Sequence, residues 1–268
     1  MQYLLRKQII LLFILLFSNF AAYTQSDEVY RPYNDEKPIY LGLNVGLSSG
    51  YMNFERGDFF SSSMLTRNEA RNEANWVSPL FNKALIMGLS GTLRLSDHFL
   101  LRVNPNILIT GTKDIFTYKI LNRTDTFKMN VSSTIINLPV ALKLESDRYN
   151  FFKKPNFMRH YVFGGVKFDY DFTASKEAKG TFIRNGYVEN TYPNLLNAAD
   201  YGYEFGLGVS FYLPYATISP EIKFSYGLRD MRNSSTYPTV ILNSLDKLTS
   251  NFVYFTIHVE GESFFLKN

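Results

Sequence analysis

The chain has no cysteine. That absence excludes disulfide staples, thiol chemistry and the lipid-bearing residue of a lipoprotein. Beyond its first segment the chain also lacks any uncharged apolar run of membrane-helix length. A long uncharged span, 205–220, is cut by glycines and by Pro214. It has no HExxH pair, no clustered His/Cys set and no glycine-rich phosphate loop, so neither a metal nor a cofactor is expected. An excess of one charge is missing too. There are 28 Lys and Arg against 24 Asp and Glu, and no basic block that would suggest a nucleic-acid partner.

What is present begins with an export signal. Met1–Gln8 holds Arg6 and Lys7, Ile9–Phe17 is apolar, and Asn19–Gln25 carries the small residues Ala21 and Ala22. The apolar run is too short to span a bilayer. It reads as a signal peptide over 1–24 for the Sec route, cleaved between 22 and 25. A periplasmic lead-in over 25–38 follows, then a barrel over 39–260 and a tail over 261–268. An exported chain with no helical span, 19 Tyr and 24 Phe fits the outer membrane of a diderm bacterium, with outer-membrane lipid as its first partner.

The strongest pattern is alternation. From Tyr201 to Leu213 every odd position is apolar or aromatic, while Gly202, Glu204, Gly206, Gly208, Ser210 and Tyr212, mostly small or polar, fill the even ones. Period two places one row on each face of a strand. Such rows recur too often for one shared soluble core, so the apolar face is read as turned to lipid. The same pattern marks eight strands: Ile39–Leu47, Lys83–Leu95, Phe99–Thr110, Ser132–Leu144, His160–Phe172, Tyr201–Leu213, Thr217–Arg229 and Asn251–Glu260. The fold class is therefore all-β: a transmembrane antiparallel up-and-down barrel with short periplasmic turns and long extracellular loops. Ten strands stay open if Asp114–Lys119 and Thr126–Val131 form a further wall hairpin; an extension above the membrane is the preferred reading. Pro105, Pro139 and Pro220 each remove a ladder donor, so bulges or strand ends are expected there.

The inward rows carry Arg94, Arg102, Lys143, Lys167, Lys223 and Arg229 against Asp169, Asp171, Glu204, Glu221 and Glu260. Eight strands leave an interior just wide enough for side chains to fill. Charges there persist only when paired and hydrogen-bonded. The expectation is a self-neutralising plug rather than a pore. His98 and His160 sit at turn ends and His258 in the last inward row. No spacing demands a nucleophile–base pair, so no catalytic residue is assigned and no small-molecule substrate is implied.

Connections two and six are the triplets Ser96–His98 and Pro214–Ala216, while one, three, five and seven are long. The first long loop repeats Arg-Asn-Glu-Ala before Trp76, a solvated pattern. The fourth connection, Glu145–Arg159, is too long for a simple periplasmic turn. Its Arg148, Phe152, Lys153 and Lys154 are candidates for contact with a partner; the other reading is an interfacial belt.

Three stretches, Tyr161–Tyr170 (YVFGGVKFDY), Tyr201–Leu228 (YGYEFGLGVSFYLPYATISPEIKFSYGL) and Leu245–Glu260 (LDKLTSNFVYFTIHVE), resemble the PorT/SprT family. The similarity is dense from about Pro139 onward, thinner over Leu41–Leu108, and nearly absent from the long first loop. The resemblance implies an outer-membrane barrel of the type IX secretion and gliding-motility machinery of Bacteroidota. Its role would be non-enzymatic, with other secretion components as partners.

Overall fold

Alternating residues form a strand only where each face meets a medium that suits it, and the two faces here meet very different ones. The structure, a computed structural model, describes residues 38–56, 76–77, 82–120, 123–151, 154–174, 179–184, 186–233, 235 and 245–261. The signal peptide, the lead-in up to residue 37, the Arg-Asn-Glu-Ala repeat, Phe152, Lys153 and the tail beyond Gly261 lie outside them. Its strands are β1 (Ile39–Arg56), β2 (Trp76–Val77), β3 (Asn82–Arg94), β4 (Phe99–Val103), β5 (Asn106–Ile120), β6 (Arg123–Glu145) and β7 (Tyr149–Phe151). They continue with β8 (Lys154–Asp171), β9 (Lys179–Arg184), β10 (Tyr187–Tyr192), β11 (Ala199–Tyr212), β12 (Thr217–Gly227) and β13 (Leu245–Glu260).

The sheet closes on itself. β1 pairs antiparallel with both β3 and β13. The ring then runs through β4 and β5 as one interrupted strand, β6, β8, β11 and β12, giving eight wall strands. Closure removes the edges that an open sheet of this size would expose. Exposure separates the faces: Leu43 and Val166 are 61% and 64% exposed, whereas their neighbours Asn44 and Lys167 are 4% and 3% exposed. The apolar rows therefore form the outside. Among the described residues no helix is long and apolar enough to cross a membrane; the wall crosses with strands.

Asp114–Lys119 and Thr126–Val131 are not a further pair of wall strands but the outer ends of two existing ones, as the preferred reading had it. β5 and β6 keep one register from Asn106↔Asn137 out to Ile120↔Arg123, which extends the hairpin beyond the barrel. β9 adds to the outer part of β6, β10 to β9, and Trp76–Val77 to β5. With the outer ends of β5 and β6 these form a sheet beyond the eight-strand ring.

Of the three prolines, Pro105 alone ends a strand. It separates β4 from β5, and residues 104–105 lie opposite 138–139, so the missing donors of Pro105 and Pro139 fall in one gap. Pro220 leaves the β11–β12 ladder unpaired between Gly208↔Glu221 and Phe211↔Ile218 without shifting its register. The Ser210 and Ser219 hydroxyls, 2.9 Å apart, bridge that gap. The bulges expected at Pro139 and Pro220 are absent because the ladder skips two pairs in each gap instead of inserting a residue.

The fourth connection also differs from expectation. β6 and β8 stay paired as far as Glu145↔Tyr161, and β7 folds back on the start of β8. The segment is thus a short hairpin, not a fifteen-residue turn. Asn156 takes a left-handed φ of 52° within it, a conformation asparagine tolerates, and its N–H donates to Asn150 Oδ1 at 3.0 Å.

Candidate functional site

The interior is built in levels, starting from the periplasmic end. There the Glu145 carboxylate is shared by three cations: Lys143 Nζ at 2.7 Å, Arg159 Nη1 at 2.8 Å and Arg94 Nη2 at 4.0 Å. Arg94 also donates from Nε to the Tyr40 hydroxyl at 2.9 Å. The Arg148 guanidinium lies 3.8 Å from the centre of the Tyr212 ring, an inward residue of β11.

One level up, Arg102 Nη1 donates to Glu221 Oε2 at 2.7 Å, and the Tyr161 hydroxyl donates to the same oxygen at 3.1 Å. His258 Nε2 stands 3.6 Å from Glu221 Oε1. The Arg102 guanidinium sits 4.4 Å above the Phe163 ring. Lys223 Nζ meets Glu204 Oε2 at 3.1 Å and caps the Tyr254 ring at 4.6 Å.

Higher still, Lys167 Nζ bonds Asp169 Oδ2 at 2.6 Å, Asn137 donates to Asp169 Oδ1 at 2.6 Å, and Asn106 donates to Asn137 Oδ1 at 3.2 Å. This chain links three strands through groups that would be expensive to bury alone. Ala84, Ile86, Leu108, Phe252 and Tyr254 form an apolar cluster toward the outer side.

Bulk and emptiness are matched across the lumen. A Cβ at Gly206 would collide with the Phe163 ring, and one at Gly208 with the Tyr161 ring. Two glycines of β11 are thus the seats for two aromatic rings of β8.

The outer mouth is covered by two loops that bond to each other. Asn197 N–H donates to Met231 O at 2.8 Å, Asn233 N–H to Leu195 O at 2.9 Å and Met231 N–H to Leu248 O at 2.8 Å. The Asn197 side chain donates to the carbonyls of Asp230 and Arg232. Leu195, Leu196 and Met231 of this lid are buried, as are Ala174 and Leu248. Arg232 makes a bidentate bond to Asp230, with Nη2 2.7 Å from Oδ2. Partial burial alone would raise the Asp230 carboxyl, but bonds from the Arg232 side chain and from the N–H groups of Arg232 and Leu248 outweigh it. The group is held below its ordinary value of 3.8.

Of the residues singled out in the sequence, Arg102, Lys143, Lys167, Asp169, Asp171, Glu204, Glu221 and Lys223 are buried and face inward. Arg94 is half-buried at the periplasmic mouth, and Glu260 is half-buried at the end of β13. Asp171 is set apart from the pairs: its Oδ1 accepts from the N–H groups of Thr173 and Ala174. Arg229 is not in the lumen. β12 ends at Gly227 and Arg229 is exposed beyond it, so the parity of a longer strand does not apply. Arg148 stacks under the mouth as described; Lys154 opens β8. The sequence reading missed Glu145 and Arg159, which it placed in a loop. The alternation Lys143, Glu145 and Arg159, Tyr161 continues the inward rows and is the signal that would have found them.

A sequence model of the outer membrane protein beta-barrel domain matches residues 23–233. No curated protein matches the chain. Among solved structures, Neisserial surface protein A is similar at 10% identity over 83% of this chain and 97% of that one, with a TM-score of 0.37. Ail of Yersinia pestis is similar at 10% identity over 84% and 99%, with a TM-score of 0.33. LpxR from Salmonella typhimurium is similar at 10% identity over 80% and 99%, with a TM-score of 0.23.

Proposed function

The chain belongs to the outer membrane protein beta-barrel domain family, and on that footing we propose that it is a non-enzymatic barrel serving protein export by the type IX secretion system. The observation that carries the non-transporting part is the pairing of the lumen: Arg102 with Glu221, Lys223 with Glu204, Lys167 with Asp169, and Lys143 and Arg159 with Glu145. Side chains that neutralise one another across an eight-strand interior leave no polar path for a solute. What such a barrel offers to other molecules is its rims.

The link to secretion rests on the resemblance of Tyr161–Tyr170, Tyr201–Leu228 and Leu245–Glu260 to PorT/SprT. The Sec-type signal over 1–24 would deliver the chain to the periplasm. Arg148 and the hairpin that follows it, with Phe152, Lys153 and Lys154, would supply a basic and aromatic surface to a secretion component.

A clean deletion with a secretion assay tests this reading. Retention of cargo in the periplasm is the expected result. Normal export with altered lipid A would replace it with a barrel enzyme, and normal export with altered solute uptake would replace it with a ligand-binding barrel.

A further inference from the structure

Among the described residues, the lipid-facing wall carries a dent with polar groups at one end. It is a cleft of about 590 Å³ whose floor is Leu144, Val162, Leu207 and Val209, and whose rim holds His98, Asp147, Tyr149 and His160. Register sets three of the floor residues side by side, as Leu144↔Val162 and Val162↔Leu207. The next row inward along the membrane is Leu142, Gly164 and Phe205. Gly164 faces outward and is exposed, and a Cβ there would meet only Glu204 O, at 3.9 Å. The missing side chain leaves the wall low in the row that adjoins the cleft floor.

The rim is mixed in charge and donor character. The His160 and Tyr149 rings lie 5.5 Å apart between centres, tilted by 46°, presenting an imidazole and a phenol side by side. His98 Nδ1 lies 3.1 Å from Glu145 O, which turns Nε2 toward Asp147 Oδ1 at 4.0 Å. The Asp147 side chain remains 85% exposed. One carboxylate thus stands beside two groups able to donate to a phosphate.

We propose that this cleft is a docking site for one phospholipid of the periplasmic leaflet, an amine-headed one, with an acyl chain along Val162 and Gly164. The cleft is continuous with the lipid-facing belt, so hydrocarbon already surrounds its floor. The rim at its periplasmic end complements a zwitterionic head: His160 and Tyr149 meet the phosphodiester, and Asp147 meets the ammonium. The volume is in the range of roughly 300–1,000 Å³ typical of ligand clefts. The inference requires the membrane barrel and its sidedness, and is independent of any role in secretion.

The test is native mass spectrometry of the full-length mature chain, released from nanodiscs of equimolar phosphatidylethanolamine and phosphatidylglycerol. The expected result is one retained lipid per barrel, with phosphatidylethanolamine favoured about tenfold. Gly164→Phe fills the groove from the outside and abolishes retention; Leu207→Trp serves the same purpose if the first variant fails to fold. Asp147→Asn keeps the lipid and brings the preference close to unity. No retained lipid on the wild type, equal retention by a folded groove-filling variant, or a polypeptide in place of the lipid overturns the proposal.

Discussion

Arg102 and Glu221 meet across the lumen, Nη1 2.7 Å from Oε2, although 119 residues separate them in the chain. Both side chains are almost fully buried, at 3% and 1% exposure. The contact joins β4 to β12, strands that are not neighbours in the wall, so it acts as a strut through the interior. Neither charge has water to fall back on, which makes the pair sensitive to removal of one member.

Glu221→Leu is expected to destabilise the folded barrel by roughly 3–5 kcal/mol, because it leaves Arg102 buried and unpaired. Glu204→Leu should act similarly through Lys223. The check is the temperature at which each barrel loses its compact migration on gels. Recovery of most of the loss by Arg102→Met combined with Glu221→Leu would be the signature of an isolated charge. Unchanged stability in both single variants would contradict the strut.

Gly208→Leu should cost about 1–3 kcal/mol by overpacking against the Tyr161 ring. The outward Gly164, where an added Cβ would meet only Glu204 O at 3.9 Å, should accept a side chain with little loss of stability. Paired thermal unfolding of Gly208→Leu and Gly164→Leu separates the two faces, and equal losses would mean that inward and outward had been exchanged.

The outer lid should loosen in acid. The Asp230 carboxyl is held below its ordinary 3.8; its stabilisation is therefore present above that value and lost as pH falls through the lowered one. Hydrogen exchange of residues 194–198 and 230–233 should speed up below about pH 4. Asp230→Asn should exchange faster already at neutral pH and lose that acid dependence. A wild-type lid indifferent to acid would remove Asp230 from its support.

Changing Phe152, Lys153 and Lys154 together should leave insertion intact and weaken export. Normal export from a normally inserted triple variant would reduce that hairpin to an interfacial belt.

The wall was legible because lipid and a packed lumen impose opposite demands on alternate residues. Tyr201–Leu213 and Thr217–Gly227 declare themselves that way, as do the inward Glu204, Glu221 and Lys223. Strand ends were less legible. Nothing in the parity of Thr217–Arg229 tells that the strand stops at Gly227, since pairing of the lid loops decides it, and Arg229 was misplaced as a result. Glu145 and Arg159 were lost in the opposite way, because the charged and aromatic residues between them masked two strands running on. The lid itself, with Leu195 and Met231, has no periodicity to reveal it: its order comes from backbone bonds between loops distant in sequence.

Conductance of the purified barrel in planar bilayers is the most direct test of a lumen filled by its own paired charges. No stable channel should form under an applied potential, and Glu221→Leu should not open one unless the barrel unfolds. Reproducible openings of one fixed size in the wild-type protein would show a continuous water path, and would contradict the sealed interior.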